Sequence, residues 1–326
     1  VLTKKRLALL TIFMTMACFV LLLFLPDSIA GERRAEGKII FFSKIGFLSV
    51  CIAVTIAMIL ILLFKREFVR WQTFSFGRYK YLLFNLVKRD FVSRYRKSIL
   101  GVLWSLLNPL LTMLVMTMVF SLLFKDTIKN FPVYMLSGQI IYLFFSESTT
   151  RAMGSVIAGE GIIKKVYVPK YIFPVSNVLS SLTNLGFSLL AFLFVFLVTR
   201  APFYWTMLLI PIPIIYTFIF SLGIAMLLSA MAVFFRDLTY LYGVFCMLLM
   251  YLSAIFYPIS TIPEKYMPFM GLNPIYQYID YFRNLVLVGE IPGLWKNAVC
   301  IGFALIALCC GVYVFMTKQD KYILHL

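Results

Sequence analysis

Glu147 and Arg151 stand four residues apart in a polar patch, Ser146-Glu-Ser-Thr-Thr-Arg151, inside an otherwise apolar stretch. On a helix that spacing lets the two side chains meet. Charge within a run of hydrocarbon length is costly and normally faces a bundle interior or a watery path. The pair therefore reads either as pathway lining or as a paired structural charge. Other groups fit for chemistry are sparse. The single histidine, His325, is in the tail, and the six cysteines at 18, 51, 246, 300, 309 and 310 lie in apolar runs, where a thiol behaves as a small hydrophobe. Neither a metal site nor a disulfide framework is expected. Among thirteen scattered acids, Asp280 and Glu264 form the one plausible acid–base pair, and lone surface acids explain them equally well. The stretch Gly31-Glu-Arg-Arg-Ala-Glu-Gly37-Lys38-Ile39 is a near miss for a phosphate loop. It has one residue too many between its glycines, no Ser or Thr after the Lys, and no preceding strand. The chain is expected not to be an enzyme, and any ATP-driven action must take its hydrolysis from another polypeptide.

The elements that position these groups follow from composition. Of 326 residues, 62% are hydrophobic and 13% charged, with a mean hydropathy of +0.96, whereas average domains carry about 25% charge. The apolar residues fall in blocks of roughly 20, the length that crosses about 30 Å of hydrocarbon. A soluble enzyme is excluded, and an all-α integral membrane protein is implied. Eight spans can be drawn, at 7–25, 45–64, 99–124, 134–157, 172–198, 205–234, 238–256 and 294–316. The first has a rival reading as a signal peptide, with Ser28-Ile29-Ala30 before Gly31 as its cleavage site. Its apolar run is longer than a signal peptide's, so an uncleaved span is expected.

The net charge of +17 raises the question of nucleic acid, but placement argues against it. Ten of the 30 Lys and Arg lie between Lys65 and Lys97, against Glu67 and Asp90 alone. A basic block beside a span is what the positive-inside rule and anionic cytoplasmic lipid produce. With both termini in the cytoplasm, 19 of the Lys and Arg fall on that side and 10 on the other, which sets the expected orientation.

From Tyr79 a helical face of Tyr79, Leu82, Leu83, Leu86 and Val87 emerges, with a break expected after Asp90. A short basic amphipathic helix before a span is expected to lie in the membrane surface. Residues 256–292 hold five prolines among many aromatics, too interrupted for a span and too apolar for a free loop. A re-entrant pair of short helices on the outer side is expected there.

Four stretches together resemble the membrane subunit of type-2 ABC exporters for polysaccharides, the family that exports O-antigen, capsular polysaccharide and teichoic acid. They are Lys88-Arg-Asp-Phe-Val-Ser-Arg-Tyr-Arg-Lys-Ser-Ile-Leu-Gly-Val-Leu-Trp-Ser-Leu-Leu-Asn-Pro-Leu110, Ile162-Ile-Lys-Lys-Val-Tyr-Val-Pro-Lys-Tyr-Ile-Phe-Pro174, Phe234-Phe-Arg-Asp-Leu238, and Ser253-Ala-Ile-Phe-Tyr-Pro-Ile-Ser-Thr-Ile-Pro-Glu-Lys-Tyr266 with Leu272-Asn-Pro-Ile275. The resemblance runs from about Phe74 to the C-terminus. It implies three parts: a transmembrane hairpin extension at 1–70 that the usual member lacks, a cytoplasmic amphipathic interfacial helix and connector at 71–98, and a six-span core at 99–326. Ala158-Gly159 stands where the family often carries Asn, and nothing is inferred from that position.

What the resemblance implies for function is a homodimer in a bacterial inner or plasma membrane, served by two copies of an ABC ATPase that hold the ATP and Mg. Residues 158–174 would couple to that subunit, through Glu160, Ile163, Lys164, Lys165, Tyr167, Pro169 and Lys170. A glycan on a polyprenyl diphosphate would meet Arg89, Arg94, Arg96 and Lys97 at the inner leaflet, where plain anchoring to anionic membrane lipid is the alternative. Trp104, Tyr134, Tyr142, Tyr251, Phe256, Tyr257 and Tyr276, with Glu147 and Arg151, would line the glycan path and its gate at 256–292, although interfacial rings are common in any membrane protein. The competing readings are a type-2 exporter of drugs or simple lipids, and a membrane glycosyltransferase or acyltransferase.

Overall fold

The computed structural model describes residues 79–96, 100–124, 128, 130–166, 168–266, 270–319 and 322. The expected N-terminal hairpin, its two spans and the phosphate-loop near miss lie outside them, as do Lys97, Tyr167, His325, Cys18 and Cys51. Among the described residues every regular element is helical. We number the α-helices α1 Lys80–Tyr95, α2 Leu103–Phe124, α3 Phe131–Met153, the single turns α4 Ser155–Ala158 and α5 Glu160–Ile163, α6 Ile172–Val198, α7 Pro211–Ala232, α8 Leu238–Leu252, α9 Pro274–Arg283 and α10 Leu294–Lys318. A 3-10 stretch, Trp205–Leu209, leads into α7. Four helical segments, Leu103–Ser121, Ile172–Val198, Trp205–Ala232 and Trp295–Lys318, are long and apolar enough to cross a bilayer. With α3 and α8 they make six helices at the six core spans, and the chain is a multi-pass membrane protein.

Boundaries follow local chemistry. Proline near the start of α3, α7 and α9 lacks an N–H that the first turn does not need. Asn273 caps α9, its side-chain oxygen accepting from the N–H groups of Ile275 (3.0 Å) and Tyr276 (3.3 Å). The third span begins at Leu103 rather than 99, because Gly101 takes φ +48° just before it. Proline also stands inside α2, at Pro109, where it removes one intrahelical bond.

One expectation is corrected. The helix α1 does not break after Asp90 but continues to Tyr95. Beyond Asp90 the periodicity drifts because the partners change: Phe91 stacks on Phe187 of α6, and Asp90 and Arg94 enter an ion-pair network. The apolar face of α1 that the sequence marks packs on protein. Leu86 is buried, and Tyr79, Leu82 and Leu83 pack on a cluster of Val156, Tyr171, Phe173, Phe315 and Tyr322. The exposed apolar side chains of α1 are Tyr81, at 76%, Phe84, at 64%, and Val92, at 45%.

The tightest contact is between α7 and α10. A Cβ on Gly223 would fall inside the backbone of Ala307 and Leu308, and one on Gly311 would meet the Gly223 carbonyl. Small residues let two helices touch where lipid supplies no hydrophobic drive between them. Gly223→Ala should therefore destabilise the bundle by about 1–3 kcal/mol through overpacking, read as a lower unfolding temperature in detergent. Gly186→Ala, at a position with nothing within 4 Å, should leave that temperature unchanged.

Candidate functional site

At the end of the bundle that carries α1, four charges from two helices form one network. Arg94 Nη1 lies 2.8 Å from Glu147 Oε1, and Arg151 Nη1 lies 3.4 Å from the same oxygen. Arg151 Nη2 also pairs with Asp90 Oδ2, which Arg94 Nη2 approaches at 4.0 Å. Helix α6 supplies neutral donors: Ser180 Oγ donates to Asp90, and Asn184 Nδ2 donates to Glu147 at 2.6 Å. Tyr95 then donates to Asn184 Oδ1 at 3.0 Å and accepts from Ser105 Oγ of α2. Two carboxylates and two guanidiniums, each partly buried, thus tie α1 to α3. The Glu147–Arg151 pair seen in sequence exists, but each member has a second charged partner on α1.

Two clefts flank this network. One, of about 350 Å³, is lined by Arg89, Asp90, Arg151, Ser155, Gly159 and Asn177, among others. Its Ser155 hydroxyl is buried with no hydrogen-bond partner, an orphan that native structures rarely tolerate without a ligand or water. Gly159 is fixed there by packing, since a Cβ would come within 2.6 Å of the Phe173 ring. The other cleft, of about 530 Å³, is lined by Arg94, Trp104, Asn108, Glu147, Asn184 and Ser188, among others. Arg89, Arg96 and Trp104 are exposed.

The connection from α3 to α6 is compact. Gly154 and Gly159 cap the two single turns, and Lys164 pairs with Glu160 within the second. Ile163 is half-buried, whereas Lys164, Lys165 and Val166 are exposed at the tip. Behind the tip, Pro169 leads into Lys170, whose Nζ donates to the Gln319 carbonyl and lies 5.6 Å from the Tyr322 ring. Tyr322 is buried against Phe315 and Phe234, and that burial pushes its phenol up. The connection is thereby fastened to the end of α10.

At the opposite end, the rings named from sequence are mostly engaged within this chain. Helix α8 has 15 residues, about 22 Å of rise against roughly 30 Å of hydrocarbon. It stops where Ala254 takes φ +49°. Buried Tyr142 donates to the Cys246 carbonyl at 2.7 Å. Tyr134 donates to the Tyr257 carbonyl at 2.9 Å and Tyr257 to that of Tyr251 at 2.6 Å. Phe256 is buried and stacks on Phe120, while Tyr251 remains exposed. Where a re-entrant helix pair is expected, the described residues hold two single 3-10 turns (Ile259–Thr261, Glu264–Tyr266), the helical residues Met270 and Gly271, and one ten-residue helix, α9, prolonged by a π turn at Asn284–Val288. Asp280 of α9 pairs with Lys296, so it is no free acid for a catalytic dyad; the side chain of Glu264 lies outside the described residues.

Arg283 is the residue that sequence reasoning missed. It is buried and has no acid partner among the described residues. Its five donors meet Ser137 Oγ (3.4 Å), the Tyr134 hydroxyl (2.8 Å), and the carbonyls of Ala254 (2.9 Å), Ile255 (3.2 Å) and Tyr134 (3.3 Å). The guanidinium also lies 3.5 Å from the Tyr134 ring centroid. A Cβ on Gly138 would come within 2.9 Å of its Nη2, so that glycine makes room for it. A lone base ending a tyrosine-rich helix was the available signal. For the charge network beside α1 the signal was Ser180 and Asn184, two polar residues four apart in an apolar span.

Comparison with known proteins agrees with this architecture. Residues 81–287 match the family described as ABC-2 type transporter. The chain is 33% identical to an O-antigen export system permease protein RfbA of Klebsiella pneumoniae, over 74% of this chain and 93% of that one. It is 27% identical to the protein of that name from Myxococcus xanthus, over 75% and 95% respectively. To the polysialic acid transport protein KpsM of Escherichia coli it is 25% identical, over 72% and 92%. With six helices at the core spans, and the match running from α1 through the π turn after α9, the chain belongs to the ABC-2 type transporter family.

Proposed function

We propose that this protein is the permease subunit of an ATP-driven exporter that moves a lipid-linked polysaccharide out of the cytoplasm. It works as a homodimer with two copies of a separate ABC ATPase, which bring the ATP and Mg. The termini and the α1 end of the bundle face the cytoplasm, where the Lys and Arg excess lies. The observation that carries this reading is the exposed basic tip at Lys164–Val166, backed by a cluster that joins α1, α6, α7 and α10, in a chain whose relatives are named as O-antigen export permeases. A push on such a tip moves several helices at once, because packed interiors transmit strain.

Substrate entry uses the two inner clefts. In the 350 Å³ cleft, Arg89 forms no ion pair among the described residues, and Arg151 and the orphan Ser155 hydroxyl stand nearby. That set suits the diphosphate end of a carrier lipid. Arg94 instead holds Glu147 and fixes α1 in place, and Arg96 anchors to anionic lipid. The exposed ring of Trp104 starts the sugar path, and Tyr251 continues it.

The twofold seam falls on α2. Only 6% of its apolar window is buried in its own chain, against 28–33% for the other three long spans. The buried Thr117 hydroxyl on it also lacks a partner. Helix α8, exposed at Val244, Phe245 and Leu248, packs beside it in the dimer.

Three outcomes test these assignments. Lys165→Glu with Val166→Asp should lower surface glycan at least tenfold while the ATPase still co-purifies; unchanged export would remove the tip from coupling. Arg89→Gln should raise the carrier-lipid concentration for half-maximal ATPase stimulation about tenfold, as loss of one charged hydrogen bond predicts; an unaltered curve would reassign it to anchoring. In a cysteine-free background, Met118→Cys on α2 should crosslink into dimers in membranes, and Leu197→Cys on the exposed face of α6 should not. The reverse pattern would move the seam.

A further inference from the structure

The connections that lie opposite α1 converge on a third cleft, of about 570 Å³, within the range of small-molecule sites. It is held open by the fold. Thr206 donates to the Leu285 carbonyl at 2.6 Å, tying the turn before α7 to the π turn after α9. Gly289 takes φ +79°, and a side chain there would run into the Tyr204 ring. Glycine therefore lets the Tyr204 ring lie against the chain beside the cleft that it lines.

The charges in this cleft are already neutralised or engaged. Asp280 pairs with Lys296, and the five donors of Arg283 are all taken. What remains is neutral. Asn130 stands at the N-cap of α3 without making a cap bond. Asn130, Ser260, Asn284 and Tyr276 line the cleft, and their side chains form no hydrogen bond within the described residues. This is unlike the neighbouring tyrosines of α9, since Tyr278 donates to the Cys300 carbonyl and Tyr281 to Asn297 Oδ1. Three rings, Tyr134, Tyr204 and Tyr276, supply apolar surface between these amides and hydroxyls.

From this composition we propose that the cleft is a saccharide-binding subsite on the outer face, taking one or a few neutral sugar units of the emerging glycan. Rings offer flat apolar surface to the C–H face of a pyranose, while amides and hydroxyls meet its hydroxyl groups. A phosphate or a cation would find no unpaired opposite charge. The subsite rests on the exporter reading and gives that reading a defined sugar contact within the gate region. Each bound unit resists backsliding while the next is delivered. Binding here must be weak, since a polymer held tightly could not leave.

The test is saturation-transfer NMR on the full chain in lipid nanodiscs, without ATPase, using mannotriose, galactotriose and chitotriose as neutral probes and glucose 1-phosphate as the charged comparator. At least one trisaccharide should receive saturation on its ring protons. Asn284→Leu and Ser260→Leu, at the cleft rim, should each weaken its apparent affinity about fivefold, the loss of one neutral hydrogen bond. Tyr276→Phe, which keeps the ring, should do the same, and Lys265→Gln outside the cleft should change nothing. Transfer to none of the three trisaccharides, equal transfer in the variants, or stronger binding of glucose 1-phosphate would each overturn the subsite. That failure alongside intact glycan export would leave the exporter reading standing, whereas sugar binding by a chain that exports no glycan would overturn the exporter reading.

Discussion

In hydrocarbon a backbone carbonyl without a donor costs several kcal/mol, and the half of this protein opposite α1 is arranged around that penalty. Helix α8 ends before it could span a bilayer, and irregular chain follows. Side chains from elsewhere supply the missing donors. Arg283 serves the carbonyls of Ala254 and Ile255, Tyr134 that of Tyr257, and Asn273 that of Leu252. Because Arg283 sits on α9 and Tyr134 on α3, satisfying the backbone also fixes the short re-entrant helix against the bundle. Rings that sequence suggested for a sugar path are in large part the fasteners of this region.

The α1 end solves a different problem with charge. Four charged groups sit partly buried, each is matched by at least one opposite partner, and the two carboxylates also accept from neutral donors on α6. Breaking one partner of such a set leaves its mate uncompensated, which is far worse than removing both. The network therefore acts as a register device that admits one placement of α1 on α3 and α6. Beside it, Lys170 and Tyr322 fasten the α3–α6 connection to the end of α10. In the proposed exporter the inner half is one connected lever, whereas α2 stays loosely held by its own chain.

Much of this was legible in the residues. Hydrocarbon-length apolar blocks marked all six core helices, with ends within a few residues, because lipid imposes length and polarity on any span. The start of α9 at Asn273-Pro274 was not anticipated, although both residues act on their own first turn. The Glu147–Arg151 contact was legible as well, being set by helix pitch. The break after Asp90 was misjudged because periodicity reports one burial surface at a time, and α1 changes partners along its length.

Amino-acid order alone thus determined the membrane class, the helix positions, the basic end and the contacts between residues one turn apart, all of which depend on local chemistry or on the bilayer as solvent. Tertiary structure alone decided which distant groups meet: Asp90 with Arg151, Lys170 with Tyr322, Arg283 with the end of α8, and Gly223 with Gly311. Such pairings arise from how helices are rotated and crossed, and a one-dimensional pattern carries no record of rotation between two helices far apart in the chain.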